Sequence, residues 1–145
     1  EREMNDTAIL IPAAALICWT LVMLYWMLLT RMPAIAKAGI DMGAQPGGRG
    51  SDLEGIVPAK TQWKAHNYNH LHEQPLLFYA VTVILSLTGG TSDLTWGLAW
   101  AYVVVRVVHS IWQSTVNTVP VRFGLFLLGS IILTILAVMA LIQAH

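Results

Sequence analysis

Three stretches of the chain carry no Lys, Arg, Asp or Glu: the 24 residues between Asp6 and Arg31, the 19 between Glu73 and Asp93, and everything after Arg122. About 20 apolar residues, rising 1.5 Å each, cross the ~30 Å hydrocarbon of a bilayer. The pattern therefore predicts four helical spans in one domain, at about 7–30, 63–88, 94–117 and 121–142. Gly89-Gly90 separates the second from the third, and Pro120 separates the third from the fourth. Such short connections make consecutive helices antiparallel neighbours. The connection over 31–62 is long and polar, and its stretch Gln45-Pro46-Gly47-Gly48-Arg49-Gly50-Ser51 is a loop by composition. The expected fold class is all-α: an integral membrane four-helix bundle.

Polar residues interrupt two of these spans at helical spacing. The wholly apolar part of span two, Pro75 to Thr88, is 14 residues, roughly 21 Å and too short to cross alone. Residues before Pro75 must then lie in the membrane. Among them His66, Asn69, His70 and Glu73 fall at i, i+3, i+4 and i+7, one helix face. Span three carries Arg106, His109, Ser110, Gln113 and Asn117 on one stripe of a Val-rich helix. Helical rise puts Glu73 about 22 Å from the Thr88 end, with Arg106 and His109 about 18 and 22 Å from Leu94. At one depth on adjacent helices, Glu73 and Arg106 are expected to pair.

Composition narrows the class. Hydrophobic residues make up 56% and charged residues 11%, where a soluble chain carries about 25% charged. A soluble globular enzyme is excluded. Eight basic against eight acidic residues give no net charge, so no nucleic-acid partner is expected. The single cysteine, Cys18, excludes an internal disulfide and reads as an apolar filler. The glycines near Arg49 are not a phosphate loop, since no Gly-Lys-Ser/Thr follows. Arg31, Lys37, Arg49, Lys60 and Lys64 cluster in and after the first connection. That bias puts the 31–62 loop in the cytoplasm and both termini on the periplasmic or lumenal side.

An ionisable side chain inside a span costs roughly 2.5–3.5 kcal/mol on insertion scales, so each should face the bundle interior with a partner. Interhelical glue is one reading of the two stripes. A polar ligand site opening to the cytoplasm is the other, and Arg122 at the start of span four adds to it. The number of groups favours the ligand site. A metal or haem protein is a further alternative, because His66, His70 and Glu73 with His109 have plausible ligand spacing. His72 falls off that stripe, and no metal ligands are assigned. A channel has little support without a lining of like charges.

Two segments resemble a known family, the membrane-associated proteins in eicosanoid and glutathione metabolism (MAPEG). Lys64-Ala65-His66 through Pro75-Leu76-Leu77-Phe78 is similar to its helix-two signature. Arg106-Val107-Val108-His109, followed by Pro120-Val121-Arg122, is similar to its third- and fourth-helix signature. The resemblance implies a microsomal glutathione transferase-like member of bacterial type, in the inner or plasma membrane. It also implies a homotrimer with sites between subunits, and glutathione as co-substrate. Carried over by position, Arg31, Asn69, Glu73, Arg106, His109 and Gln113 become glutathione-binding residues, with Arg31 contributed by the neighbouring subunit. Arg122 becomes the catalytic residue that stabilises the thiolate.

The implied activity is glutathione transfer or peroxidation on a small apolar electrophile or lipid hydroperoxide, with membrane lipids as partners. The alternative is a non-catalytic lipid- or ligand-binding protein of the lipoxygenase-activating type. Three departures bear on that choice. Asn69 and Glu73 are four apart, with Pro75 only two further on; Gln113 stands where catalytic members often have Tyr; Phe123 stands where some synthases have Ser. The chemistry suits the residues. Two carboxylates and an ammonium match several Arg and one Glu. Lowering a thiol pKa of ~8.5 by about two units needs roughly 2.7 kcal/mol of charge stabilisation, within reach of an Arg at a helix N-terminus.

Overall fold

The computed structural model describes residues 4–44 and 46–145; residues 1–3 and Gln45, part of the glycine-rich stretch, lie outside the described residues. Among the described residues there are five α-helices and no strand: α1 Leu10–Lys37, α2 Ala59–His70, α3 Gln74–Leu87, α4 Asp93–Thr115 and α5 Val119–Ala144. The segment expected as one second span is two helices, α2 and α3. Three helical stretches, Asp6–Lys37, Asp93–Thr115 and Val119–Ala144, are long and apolar enough to cross a bilayer. The protein is an integral membrane protein with the expected all-α bundle fold.

Each helix starts and stops for local reasons. A short 3-10 turn, Asp6–Ile9, leads into α1, and the Asn5 side chain accepts from the Thr7 backbone N–H at 3.1 Å. At the start of α4, Ser92 and Thr95 exchange side-chain and backbone hydrogen bonds of 3.2 and 2.8 Å in a capping box. The α4–α5 corner is built by Asn117, whose φ of 55° is left-handed, a conformation Asn tolerates better than other non-glycine residues. There its N–H reaches back to the Trp112 carbonyl at 2.7 Å and closes the helix end. Pro120 follows in the first turn of α5, where a missing N–H leaves no bond unmade.

Burial runs along one stripe of each long helix. On α1 the inward residues are Pro12, Ala13, Leu16, Thr20, Met23 and Met27; on α5 they are Gly129, Ile132, Leu133, Leu136 and Ala140. The remaining faces are apolar yet open: Leu29, Leu87 and Leu141 are 76%, 82% and 74% exposed. In water such surfaces would drive aggregation. In lipid they are the ordinary outer face, and close packing rather than hydrophobic exclusion holds the helices together. Tyr102 of α4 stacks on Phe78 of α3 at a centroid distance of 4.5 Å. Its hydroxyl donates to Gln74 at 3.1 Å, and Gln74 in turn donates to Ser130 of α5 at 2.7 Å.

The second span breaks at Leu71–Glu73, where the hydrogen bonds tighten to His72 N–H→Asn69 O and Glu73 N–H→His70 O. Pro75 has no N–H to continue the ladder across this point. The break redirects the chain: α2 packs on α1 and α4, whereas α3 packs on α5 and α1. Neither half reaches span length, at 12 and 14 residues.

Candidate functional site

The α4 stripe faces inward. Arg106, His109, Ser110 and Gln113 are all buried, the first two at 0% and 1% exposure. Against this stripe lies α2. Lys64 Nζ donates to the Ser114 carbonyl at 3.1 Å, and deeper down Arg106 Nη2 donates to His70 Nδ1 at 2.8 Å. Asn67, one turn beyond Lys64, is fully buried, and among the described residues neither of its amide atoms, nor Ser110 Oγ or Ser114 Oγ, has a hydrogen-bond partner. The seam between α2 and α4 is thus polar along its length and under-satisfied.

The expected Glu73–Arg106 pair does not form. Among the described residues the one ion pair joins Glu54 and His66. Glu73 is exposed and occupies the position before α3, with φ −98° and ψ −97°. The chain turns there, so the carboxylate leaves the face that would carry it as a continuing helix residue. Among the described residues Arg106 meets no carboxylate, and its Nε and Nη1 have no partner. A buried cation in that state costs several kcal/mol unless a counter-charge arrives.

The α2 stripe also divides. His70, half-buried, lines a cavity of about 270 Å³ with His109, Gln113, Val119, Arg122, Phe123 and Phe126. His66 and Asn69 are exposed and line a second cavity, of about 460 Å³, whose wall includes Arg31, Arg49, Glu54 and Gln62. The site residues proposed from sequence therefore fall in two groups within one chain. Arg31 and Asn69 line the larger cavity; His109, Gln113 and Arg122 line the smaller; Arg106 is buried behind His70; Glu73 lies at the helix break.

Local folding explains both groups. Arg122 Nη1 donates to Asn117 Oδ1 at 2.6 Å, so the left-handed residue closing α4 also aims the first cation of α5. Arg31, six residues before the end of α1, donates from Nη2 to Gln62 Oε1 at 3.0 Å. Gln62 Nε2 donates to the Gly50 carbonyl at 3.1 Å and to Glu54 Oε1 at 3.3 Å. A Cβ at Gly50 would lie 2.7 Å from Arg31 Nη1 and would push the guanidinium aside. His66 completes the network, and its hydrogen bond holds the Glu54 carboxyl below the ordinary carboxylate range.

Sequence reasoning did not single out His70, Gln62, Glu54 or Asn67 as site residues. His70 lies on the stripe given by helical spacing, four residues before Gln74-Pro75, but that spacing alone does not separate it from its neighbours. Gln62 and Glu54 gave no such signal, because their contacts depend on how the long connection folds back.

Among the described residues, no group of three or more His, Cys, Asp or Glu could hold a metal ion. The donors instead await acceptors: the guanidinium of Arg106 is part-satisfied, and Arg122 stands beside an open cavity. An all-helical membrane bundle with a cationic, under-satisfied polar interior is the class of protein these features define. The MAPEG family model matches residues 9–142, and the chain belongs to the MAPEG family. No curated protein and no solved structure matches it. Membership supports a membrane function connected with glutathione in general terms.

Proposed function

We propose that the protein is a glutathione transferase or peroxidase acting on a small apolar electrophile or lipid hydroperoxide. The observation that carries this reading is the buried, half-satisfied Arg106 guanidinium beside a cavity lined by Arg122, His109 and Gln113 and floored by Phe123, Phe126 and Val119. Arg106 supplies charge for a carboxylate of the tripeptide. Arg122, in the first turn of α5, adds its charge to the helix N-terminus and lowers the thiol pKa. The apolar floor admits the electrophile from the lipid side.

The active form in this reading is a homotrimer. Arg31 and Asn69 line a different cavity from Arg122, and among the described residues Glu73 forms no ion pair; a neighbouring copy brings the two half-sites together. The 31–62 loop faces the cytoplasm. Native mass spectrometry should give three chains, and Ser51→Cys in right-side-out vesicles should resist an impermeant thiol reagent. A persistent monomer contradicts the assembly; ready labelling contradicts the orientation.

Turnover of glutathione with an aryl-halide electrophile and with a lipid hydroperoxide, in nanodiscs, tests the activity. Product formation lost in Arg122→Ala supports it. Saturable glutathione binding without turnover replaces it by the non-catalytic reading, which the buried Gln113 favours by leaving no tyrosine hydroxyl at that point in the site.

A further inference from the structure

We propose that His70 is a ligand-contacting donor of this site, with its proton placed on Nε2 by Arg106. A guanidinium can only donate. The 2.8 Å contact from Arg106 Nη2 therefore requires a lone pair on His70 Nδ1, and an imidazole accepting at Nδ1 carries its hydrogen on Nε2. His70 lines the cavity, whereas Arg106, fully buried and bonded to His70 Nδ1, is not among the lining residues. The edge of the ring turned away from Arg106, which bears Nε2, is then the one offered to the cavity. No hydrogen bond from Nε2 to another described residue forms.

The ring is also held in orientation. It stacks on His109 with centroids 5.1 Å apart and planes 27° apart, and meets Phe126 edge-on at 5.7 Å and 83°. A donor stacked on one ring, set against a second and bonded at its other nitrogen reaches an anionic atom with little reorganisation, which is the condition for strong stabilisation. Two separate demands on Arg106 follow. It supplies charge to the ligand, and it fixes which nitrogen of His70 carries hydrogen. The acceptor we assign is the sulfur of bound glutathione, facing Arg122 across the same cavity. That assignment rests on the proposed function; the tautomer does not.

The experiment uses the full chain in nanodiscs, labelled with ¹⁵N-histidine, with His70 resonances identified by their loss in His70→Phe. Long-range ¹H–¹⁵N spectra without ligand should show the Nε2–H tautomer alone, and Arg106→Met should relax it to the mixture of tautomers that a free imidazole shows. An Nδ1–H or doubly protonated ring in the wild type overturns the proposal whatever the protein binds. Glutathione should then shift the Nε2 resonance, and an unmoved resonance while calorimetry reports binding overturns the donor role. Turnover should fall about 10- to 100-fold in His70→Phe, which keeps the aromatic contacts, and recover in part in His70→Gln, which keeps a donor. Full activity in His70→Phe contradicts the proposal. Absence of glutathione binding by calorimetry contradicts the choice of acceptor and the function it rests on, and leaves the tautomer result standing.

Discussion

On α4 the polar residues at 106, 109, 110 and 113 are all buried, whereas the matching set beginning in α2 scatters: His66 and Asn69 are exposed, His70 is half-buried and Glu73 lies beyond the helix. The spacing of the two sets is nearly the same. Continuity and depth separate them. The 23-residue α4 is unbroken through the bilayer, with Val104, Val108 and Ile111 exposed along its outer side. Lipid on that side forces the polar stripe inward. The 12-residue α2 sits beside the folded 31–62 connection and ends at the Pro75 break, so its polar side chains find a loop partner, a cavity or an open surface instead. Periodicity says which residues share a face; it does not say what that face meets.

The hardest test of the contrast falls on Arg122, which serves the α4 side of the site. Arg122→Ala should lower turnover by about 10²–10³-fold, the usual effect of removing one stabilising donor. Glutathione affinity should fall only modestly, and the thiolate absorbance near ~240 nm, general to thiolates, should vanish. Unchanged turnover would show that chemistry lies elsewhere. Next comes Arg106→Met, which should weaken glutathione binding by ~1.5–3 kcal/mol without lowering the unliganded thermal midpoint, because an apolar chain replaces a buried cation lacking a carboxylate. A marked drop in that midpoint would mean that Arg106 is structural glue after all.

Much of the frame was legible before any coordinates. Charge-free runs, Gly89-Gly90 and Pro120 mark out the long helices and their order, and Arg106, His109, Ser110 and Gln113 are buried as their spacing implies, whereas Asn117, placed on the same stripe, lies past the end of α4. Pro75 was visible too, but its consequence was not. An X-Pro step lowers the odds of continuous helix without saying whether the span kinks or breaks, and the difference removes Glu73 from Arg106. The Arg31–Gln62–Glu54–His66 network was invisible for another reason. It is made by a long connection folding onto α2, with sequence separations that no local pattern encodes.

That network supplies the smaller tests, on the α2 side. Gln62 is 2% exposed and holds Arg31, Gly50 and Glu54 together. Gln62→Leu should cost about 1–3 kcal/mol of stability, since it strands buried polar partners, and should loosen the loop in hydrogen exchange. An unaltered exchange pattern would mean the loop is held by other contacts. The smallest effect belongs to Glu54. Its carboxyl is held low by His66 in the folded chain, so its contribution is present above the ordinary carboxylate range and is lost as pH falls through the lowered value. Glu54→Gln should lower the neutral-pH midpoint slightly, by removing the contribution present there, and should flatten the acid-side loss in a thermal-midpoint profile. An acid limb as steep as in the wild type would remove Glu54 from the explanation.

The central claim is that the under-satisfied cationic interior around Arg106 is a glutathione site. Calorimetric titration of glutathione into the wild type and Arg106→Met in nanodiscs addresses it most directly. The account predicts saturable heat in the wild type and a binding constant weaker by about 10- to 100-fold in the variant. No heat in the wild type, or equal affinity in both proteins, would contradict it.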